Sequence, residues 1–186
     1  MLLNLTETLC KEHTTRKDVF DALKKIYPDR DIEKPQQYLD ITDIHIRKYT
    51  SLDNDIFVYR DDSENVIQMF PNLNIVLNLR MVVSVGDYCF YNCTKLHNSN
   101  EMYFCLNIGK YAFYKTNVKF KHVVGYHAVG EHSFEGCTGL TDIRADILAP
   151  YMFANSSVKK AIIYNVEYMP EYDHCFDGCQ VEISYG

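Results

Sequence analysis

The chain has 186 residues, of which 47% are hydrophobic and 24% are charged, and its formal net charge is −6. This length and composition are typical of a globular protein of one or two domains with a substantial core. The acidic balance argues against a nucleic-acid binder, which would present a basic face, and no apolar run reaches the roughly 18 residues that a membrane-spanning helix needs.

Residues 1–39 are predicted to form a small N-terminal helical element followed by a linker. Thr15 and Asp18 match a capping box with Asp in place of Glu, and residues 16–27 carry one apolar stripe at helical spacing. Pro28 should end this helix because proline lacks the backbone N–H. Two interpretations stay open, namely a cap on the first repeat of a solenoid and a separate docking or dimerisation helix.

Residues 40–84 contain short apolar runs separated by Asp-rich segments, which predict short strands joined by turns. We interpret this stretch as degenerate entry repeats, since terminal repeats are usually atypical. The runs are Ile44 with Ile46, then 56–59, 66–67 and 75–77.

Residues 85–186 contain about five copies of one pattern, first seen as VGDYCFYNCTKL at Val85 to Leu96. Each copy has an aliphatic residue, a small residue or proline, then a tyrosine or histidine, a phenylalanine and a second aliphatic residue. The phenylalanines recur at spacings of 23, 21, 19 and 23 residues, and they are Phe90, Phe113, Phe134, Phe153 and Phe176. A period near 20 residues predicts a repeat solenoid in which stacked copies share one continuous core.

Five of the seven cysteines occupy recurrent positions of this pattern rather than forming a ligand motif. Cys93, Cys137 and Cys179 each follow the phenylalanine by three residues, and Cys89 and Cys175 each precede it by one. Because other copies place small or apolar residues in these positions, we expect buried free thiols rather than disulfides or zinc ligands. A metal site from His122, His127 and His132 is a weaker alternative, and we expect no metal and no cofactor. The motif glycines are predicted to serve tight turns with positive φ.

The pattern resembles the BspA-type leucine-rich repeat family over roughly residues 80–186. Its Ile-Gly-x-x-Ala-Phe-x-x-Cys-x-x-Leu core is matched in three copies, at Ile108, Gly109, Ala112 and Phe113, at Gly130, Phe134, Cys137 and Leu140, and at Phe90, Cys93 and Leu96. The resemblance implies a leucine-rich-repeat solenoid rich in short β-strands. It also implies a protein-binding or adhesive surface rather than a catalytic one.

A second strand in each repeat should place its middle residue on the outer face of a sheet, because side chains alternate along a strand. Extended sheets of this kind are where repeat proteins usually bind. The predicted partner-binding residues are Tyr103, Lys121, Arg144, Ile162, Tyr164 and Glu182.

These observations predict a non-catalytic protein-binding module that binds another protein, and neither nucleic acid nor membrane. The first residues do not read as a signal peptide, which predicts a cytoplasmic protein. Frequent Tyr, Asn, Ile and Lys indicate an AT-rich genome such as that of a protist, a phage or a large virus. In the viral case the module would inhibit a host or defence protein in the host cytoplasm. The alternatives are a self-assembling structural component that stacks into a homo-oligomer through its C-terminal end, and an adhesin-like surface protein.

Overall fold

The computed structural model describes residue 8 and residues 11–36, 44–46, 50–70, 72–77, 82–98, 107–119, 122–123, 128–164 and 174–186. The helix is α1 (Arg16–Ile26). The strands are β1 (His13–Thr14), β2 (Ile44–Ile46), β3 (Thr50–Leu52), β4 (Val58–Arg60), β5 (Val66–Gln68), β6 (Ile75–Leu77), β7 (Val82–Val85), β8 (His97–Asn98), β9 (Asn107–Ile108), β10 (His122–Val123), β11 (Ala128–Val129), β12 (Asp142–Ala145), β13 (Lys160–Ile163) and β14 (Glu182–Tyr185).

Most of these strands pair in parallel with the equivalent strand of the next repeat. One sheet has the order β1-β3-β7-β9-β11, a second β10-β12-β13-β14 and a third β2-β6-β8, while β4 and β5 form an antiparallel pair. Parallel pairing between successive copies of a short unit is the arrangement of a β-solenoid. The predicted repeat solenoid rich in short strands, with a small N-terminal helical element, is confirmed.

The phenylalanines of the repeats form a single stack through the centre of the solenoid. Consecutive ring centroids between Phe90 and Phe176 lie 5.3–5.7 Å apart, and the planes are within 22° of parallel. Phe57 extends the stack by one ring, 5.7 Å from Phe90. The rings from Phe57 to Phe153 are fully buried or nearly so, and Phe176 packs partly buried against the same core. Residues 52–57 are therefore a further copy of the repeat that lacks its glycine and cysteine.

The turns that carry these rings are also joined by hydrogen bonds along the solenoid. We call residues 54–57, 87–92, 110–115, 131–136, 150–155 and 174–178 the Phe turns. Phe90 N donates to the carbonyl of Ala112 (2.9 Å) in the next turn, and Phe113 N donates to Ser133 (2.8 Å). Because each turn pairs its backbone with the next, the regular spacing of the rings follows from the spacing of the backbone.

The glycine that opens the motif is required by close approach rather than by backbone angle. A Cβ at Gly109 would overlap the backbone nitrogen of Asp87, and one at Gly130 would overlap that of Lys110. Positive φ occurs instead at Gly136 (69°) and Gly178 (74°). The prediction of positive φ is thus wrong for Gly109 and Gly130 and correct for Gly136 and Gly178.

Helix α1 packs against the first repeats and ends one residue before Tyr27, as the stripe and Pro28 predict. The side chain of Thr15 accepts a hydrogen bond from Asp18 N (3.2 Å), and Asp18 accepts one from Thr15 N (3.0 Å), which completes the predicted capping box. Val19 and Leu23 are fully buried in the same core as the phenylalanine stack. Helix α1 therefore shares its core with the first repeats.

The segment after β3 departs from the strands predicted there. Ile56 and Phe57 lie in a Phe turn, and β4 begins only at Val58. Strand β4 then turns back to pair antiparallel with β5 through the Asp61–Asn65 turn, where Asp61 accepts hydrogen bonds from Ser63 N and Asn65 N (both 2.9 Å). The apolar run 56–59 misled the prediction because buried turn residues of a solenoid are as apolar as a strand.

Candidate protein-binding face

Strands β12, β13 and β14 form a sheet whose outer side carries mixed charged and apolar side chains. Along β12 the exposure alternates strictly, with Ile143 and Ala145 buried and Asp142 and Arg144 exposed. Strand β13 alternates in the same way, which puts Lys160 and Ile162 on the outer side. The period of two residues along a strand fixes this division between core and surface.

The register of the sheet arranges the outward side chains in two rows. Arg144, Ile162 and Ser184 lie opposite one another in the first row, and Asp142, Lys160 and Glu182 do so in the second. We call these six residues the Arg144 face. They line a shallow groove of about 350 Å³ on the surface of the sheet. Aligned strand positions lie about 4.8 Å apart, so the groove runs across the strands.

The charged side chains of the Arg144 face form no ion pairs within the described part of the chain. Neither Arg144 nor Lys160 lies within ion-pair distance of a carboxylate there. Ile162 is half-buried between them and supplies the apolar centre. Exposed ion pairs contribute little to stability, whereas unpaired charges around an apolar centre are available to a partner.

The edge strand β14 is exposed along its whole length. Ile183 is 42% exposed and Tyr185 is 68% exposed, and both are large hydrophobic side chains. The ring of Tyr164 lies close to Gly186, where a Cβ would overlap it. Ile183 and Tyr185 are in register with the buried Ala161 and Ile163, so they lie on the core side of the sheet, which is left exposed at this edge.

The structure brings together part of the predicted binding set. Arg144 and Ile162 are direct cross-strand neighbours, and Glu182 lies in the adjacent row. Tyr164 follows Ile162 by two residues, directly after the end of β13. Tyr103 and Lys121 lie outside the described residues. Sequence reasoning did not select Asp142 and Lys160, although the same alternation with a period of two that selected Arg144 and Ile162 would have identified them.

The tyrosines and histidines that stand two residues before each motif phenylalanine form a second stack, on the outside of the Phe turns. The imidazole of His132 lies between the rings of Tyr111 (4.4 Å) and Tyr151 (4.6 Å), and its Nδ1 contacts Glu135 Oε2 (2.6 Å). Tyr88 and His174 continue this stack at its two ends, each with centroids 5.0 Å from the neighbouring ring. His132 and His174 therefore have packing roles, as their repeat positions indicate.

The cysteines behave as small buried side chains. Cys89, Cys93, Cys137 and Cys175 are buried free thiols, and Cys179 is half-buried. Burial raises the pKa of Cys137 and Cys175 to about 12, and it also raises that of Cys93. Within the described ranges no three His, Cys, Asp or Glu side chains are placed to hold a metal ion. His127 and the side chain of His122 are not among them.

The part of the chain that the structure describes also contains no helix with the length and apolarity needed to cross a membrane.

Neither the curated proteins nor the solved structures provide a match to the chain. One family model matches, described as the BspA type leucine-rich repeat region, with six copies over residues 65–182. The matched region is more than half of the chain and carries the stacked Phe turns of the structure. The chain therefore belongs to the BspA-type leucine-rich repeat family.

Proposed function

We propose that the protein is a non-catalytic protein-binding module that holds its partner on the Arg144 face. The observation that carries the proposal is the half-buried Ile162, surrounded by charged side chains that have no ion-pair partner in the described residues. Arginine is enriched at protein interfaces, and an apolar centre with a polar rim is their usual composition. Family membership supports the same role, because repeat solenoids bind along extended faces.

Within this proposal, Arg144 and Lys160 bind carboxylates of the partner, and Asp142 and Glu182 bind its cations. Alternating charges fix the register of a partner and exclude partners with a mismatched charge pattern. They contribute more to specificity than to affinity. Ile162 supplies the apolar contact that loses water on binding. Inhibition of a host or defence protein would be one use of such a module, and it stays a prediction from composition, as does a cytoplasmic location.

Affinity capture with matched baits tests the face. The wild-type chain is compared with the double variant Arg144→Glu and Ile162→Glu, and with a control of equal charge change, Lys110→Glu and Ala128→Glu. Both control residues are exposed and lie away from this sheet, on a Phe turn and on β11. We expect one stoichiometric partner with the wild type and with the control, and its loss with the Arg144 face variant.

Retention of the partner by the face variant would overturn the proposal, and so would equal loss with the control. Recovery of the bait alone from every native lysate would count against any protein partner. Circular dichroism should show a thermal midpoint close to that of the wild type for both the face variant and the control variant, because each of the four changed side chains is at least partly exposed.

A second candidate is self-association through β14. Its four residues are exposed, and they include the apolar Ile183 and Tyr185. Unpaired strand edges with apolar side chains are templates for pairing with another strand. We expect the variant Ile183→Lys to abolish any concentration-dependent increase in mass seen by light scattering. A constant monomer mass for the wild type over a wide concentration range would exclude this candidate.

A further inference from the structure

A groove of about 810 Å³ lies between helix α1 and strand β4, away from the Arg144 face. Its walls include four cations, and Phe20 and Tyr59 add aromatic surface. The cations are Arg16, Lys17, Lys24 and Arg60. We call this cavity the α1 groove. The walls also carry three carboxylates, Asp21, Glu33 and Asp55, so the lining has an excess of one positive charge, whereas the whole chain has a net charge of −6. The volume is in the range of ligand-binding clefts.

Arg16 is the central cation of the α1 groove. Its Nη1 donates to the backbone oxygens of Asp55 (3.0 Å) and Val58 (2.6 Å), and its guanidinium lies 4.2 Å from the ring centroid of Phe20. Its Nε and Nη2 have no acceptor among the described residues. The guanidinium is therefore held rigidly and half-buried, with part of its donor fork facing the cavity.

The two carboxylates whose charges act on Arg16 are already bound to other cations. Asp55 Oδ1 accepts from Arg60 Nη2 (2.9 Å), and Glu33 Oε1 accepts from Lys24 Nζ (2.6 Å). Burial lowers the pKa of Arg16, and the more distant charges of Asp55 and Glu33 offset that effect only in part. A half-buried charge without a carboxylate partner is costly, because it has lost water and gained no counter-ion.

We propose that the α1 groove binds an acidic peptide segment, with a carboxylate of that segment on the guanidinium of Arg16. A planar carboxylate matches the donor fork of arginine and forms two parallel charge-assisted hydrogen bonds. Lys17, exposed at the next helix position, attracts neighbouring carboxylates of the same segment. Phe20 and Tyr59 provide the apolar wall against which the peptide backbone lies. The proposal is independent of the Arg144 face.

A titration with the peptide hexaglutamate tests this inference, followed through the arginine side-chain Nε signals in ¹⁵N NMR. We expect saturable shifts at Arg16 that exceed those at Arg30 and Arg144, which are exposed elsewhere. Lys17→Gln should weaken binding about tenfold, the effect of one charge-assisted contact. The matched control Lys25→Gln removes the same charge from an exposed position of α1 outside the groove and should leave affinity within about twofold, as expected for a screened surface charge.

A second variant, Arg16→Lys, keeps the charge but loses the planar fork, and it should also weaken binding about tenfold. The thermal midpoint of this variant shows whether it is folded. If it is not, the NMR shifts at Arg16 in the wild type and the affinity of Lys17→Gln still test the proposal. Absence of saturable shifts at Arg16, or equal weakening by Lys25→Gln, would overturn the proposal. Displacement of hexaglutamate by inorganic phosphate at matched ionic strength would replace the peptide with a phosphate ligand and overturn it equally.

Discussion

The ring of Phe134 lies flat against the ring of Phe113, with centroids 5.3 Å apart and planes 5° from parallel. Each ring belongs to a different repeat, and their turns are joined by the hydrogen bond from Phe113 N to the carbonyl of Ser133 (2.8 Å). The same pair of contacts recurs along the solenoid. Ring packing and backbone hydrogen bonds therefore join the same pairs of repeats. Replacement of one central ring should destabilise both neighbouring repeats.

Replacement of Phe134 by alanine should lower the free energy of unfolding by about 3–5 kcal/mol, the usual cost of truncating a fully buried aromatic ring. Urea unfolding followed by circular dichroism measures the change. Phe134→Leu keeps most of the apolar volume and should cost less. A loss below about 1 kcal/mol for Phe134→Ala would show that the phenylalanine stack is not the main element of the core.

Replacement of Gly109 by alanine should destabilise the solenoid although it adds only one methyl group. The new Cβ would overlap the backbone of Asp87 in the preceding repeat, and backbone cannot move aside as a flexible side chain can. Overpacking of this kind costs about 1–3 kcal/mol. The neighbouring change Lys110→Ala removes only an exposed ion pair with Glu131 and should cost less than about 1 kcal/mol in the same urea titration. Equal costs for the two variants would contradict the close approach.

The buried thiols should resist alkylation in the folded protein. The pKa values of Cys137 and Cys175 are raised to about 12 by burial, so both remain protonated and shielded at pH 8. Iodoacetamide labelling with mass spectrometry, resolved for each cysteine, should modify these two only after unfolding. Cys179 is half-buried and should react faster. Rapid labelling of Cys137 in the folded chain would be inconsistent with its burial.

The same thiols predict how stability responds to alkaline pH. The unfolded chain releases these protons near pH 9, the ordinary thiol value, whereas the folded chain retains them up to about pH 12. Thiolate formation therefore favours the unfolded state, and stability should fall as pH rises above about 9. Cys137→Ala should reduce the steepness of that fall. An unchanged slope for this variant would contradict the linkage.

Several local features could be predicted because they depend on neighbouring residues. The capping box of Thr15 and Asp18 needs only a spacing of three residues, and Pro28 ends α1 by its own chemistry. The alternation of Ile143, Arg144 and Ala145 follows from strand geometry once the strand is located. Arg144 and Ile162 were placed on one face because their strands occupy the same position in successive repeats.

The copy that ends at Phe57 lies in the stretch interpreted as degenerate entry repeats, but its ring was not assigned to the phenylalanine stack because this copy lacks the most recognisable residues of the motif. Asp55 takes the positive φ (54°) that tyrosine or histidine takes in later copies, and no glycine or cysteine is present. The remaining sequence signal is Phe57 itself. Its place in the stack is visible only in the structure, where its ring centroid lies 5.7 Å from that of Phe90.

By itself the sequence determined the period of the solenoid, its phenylalanine core and the outward direction of Arg144, because each is a pattern that recurs at fixed spacing. Only the tertiary structure decided how α1 meets the first repeats and which charges come together there. Arg16 and Arg60 are 44 positions apart in the sequence and line one groove. The two arginines do not belong to a repeated sequence pattern. Docking of a single helix depends on complementary surfaces and not on a repeated motif.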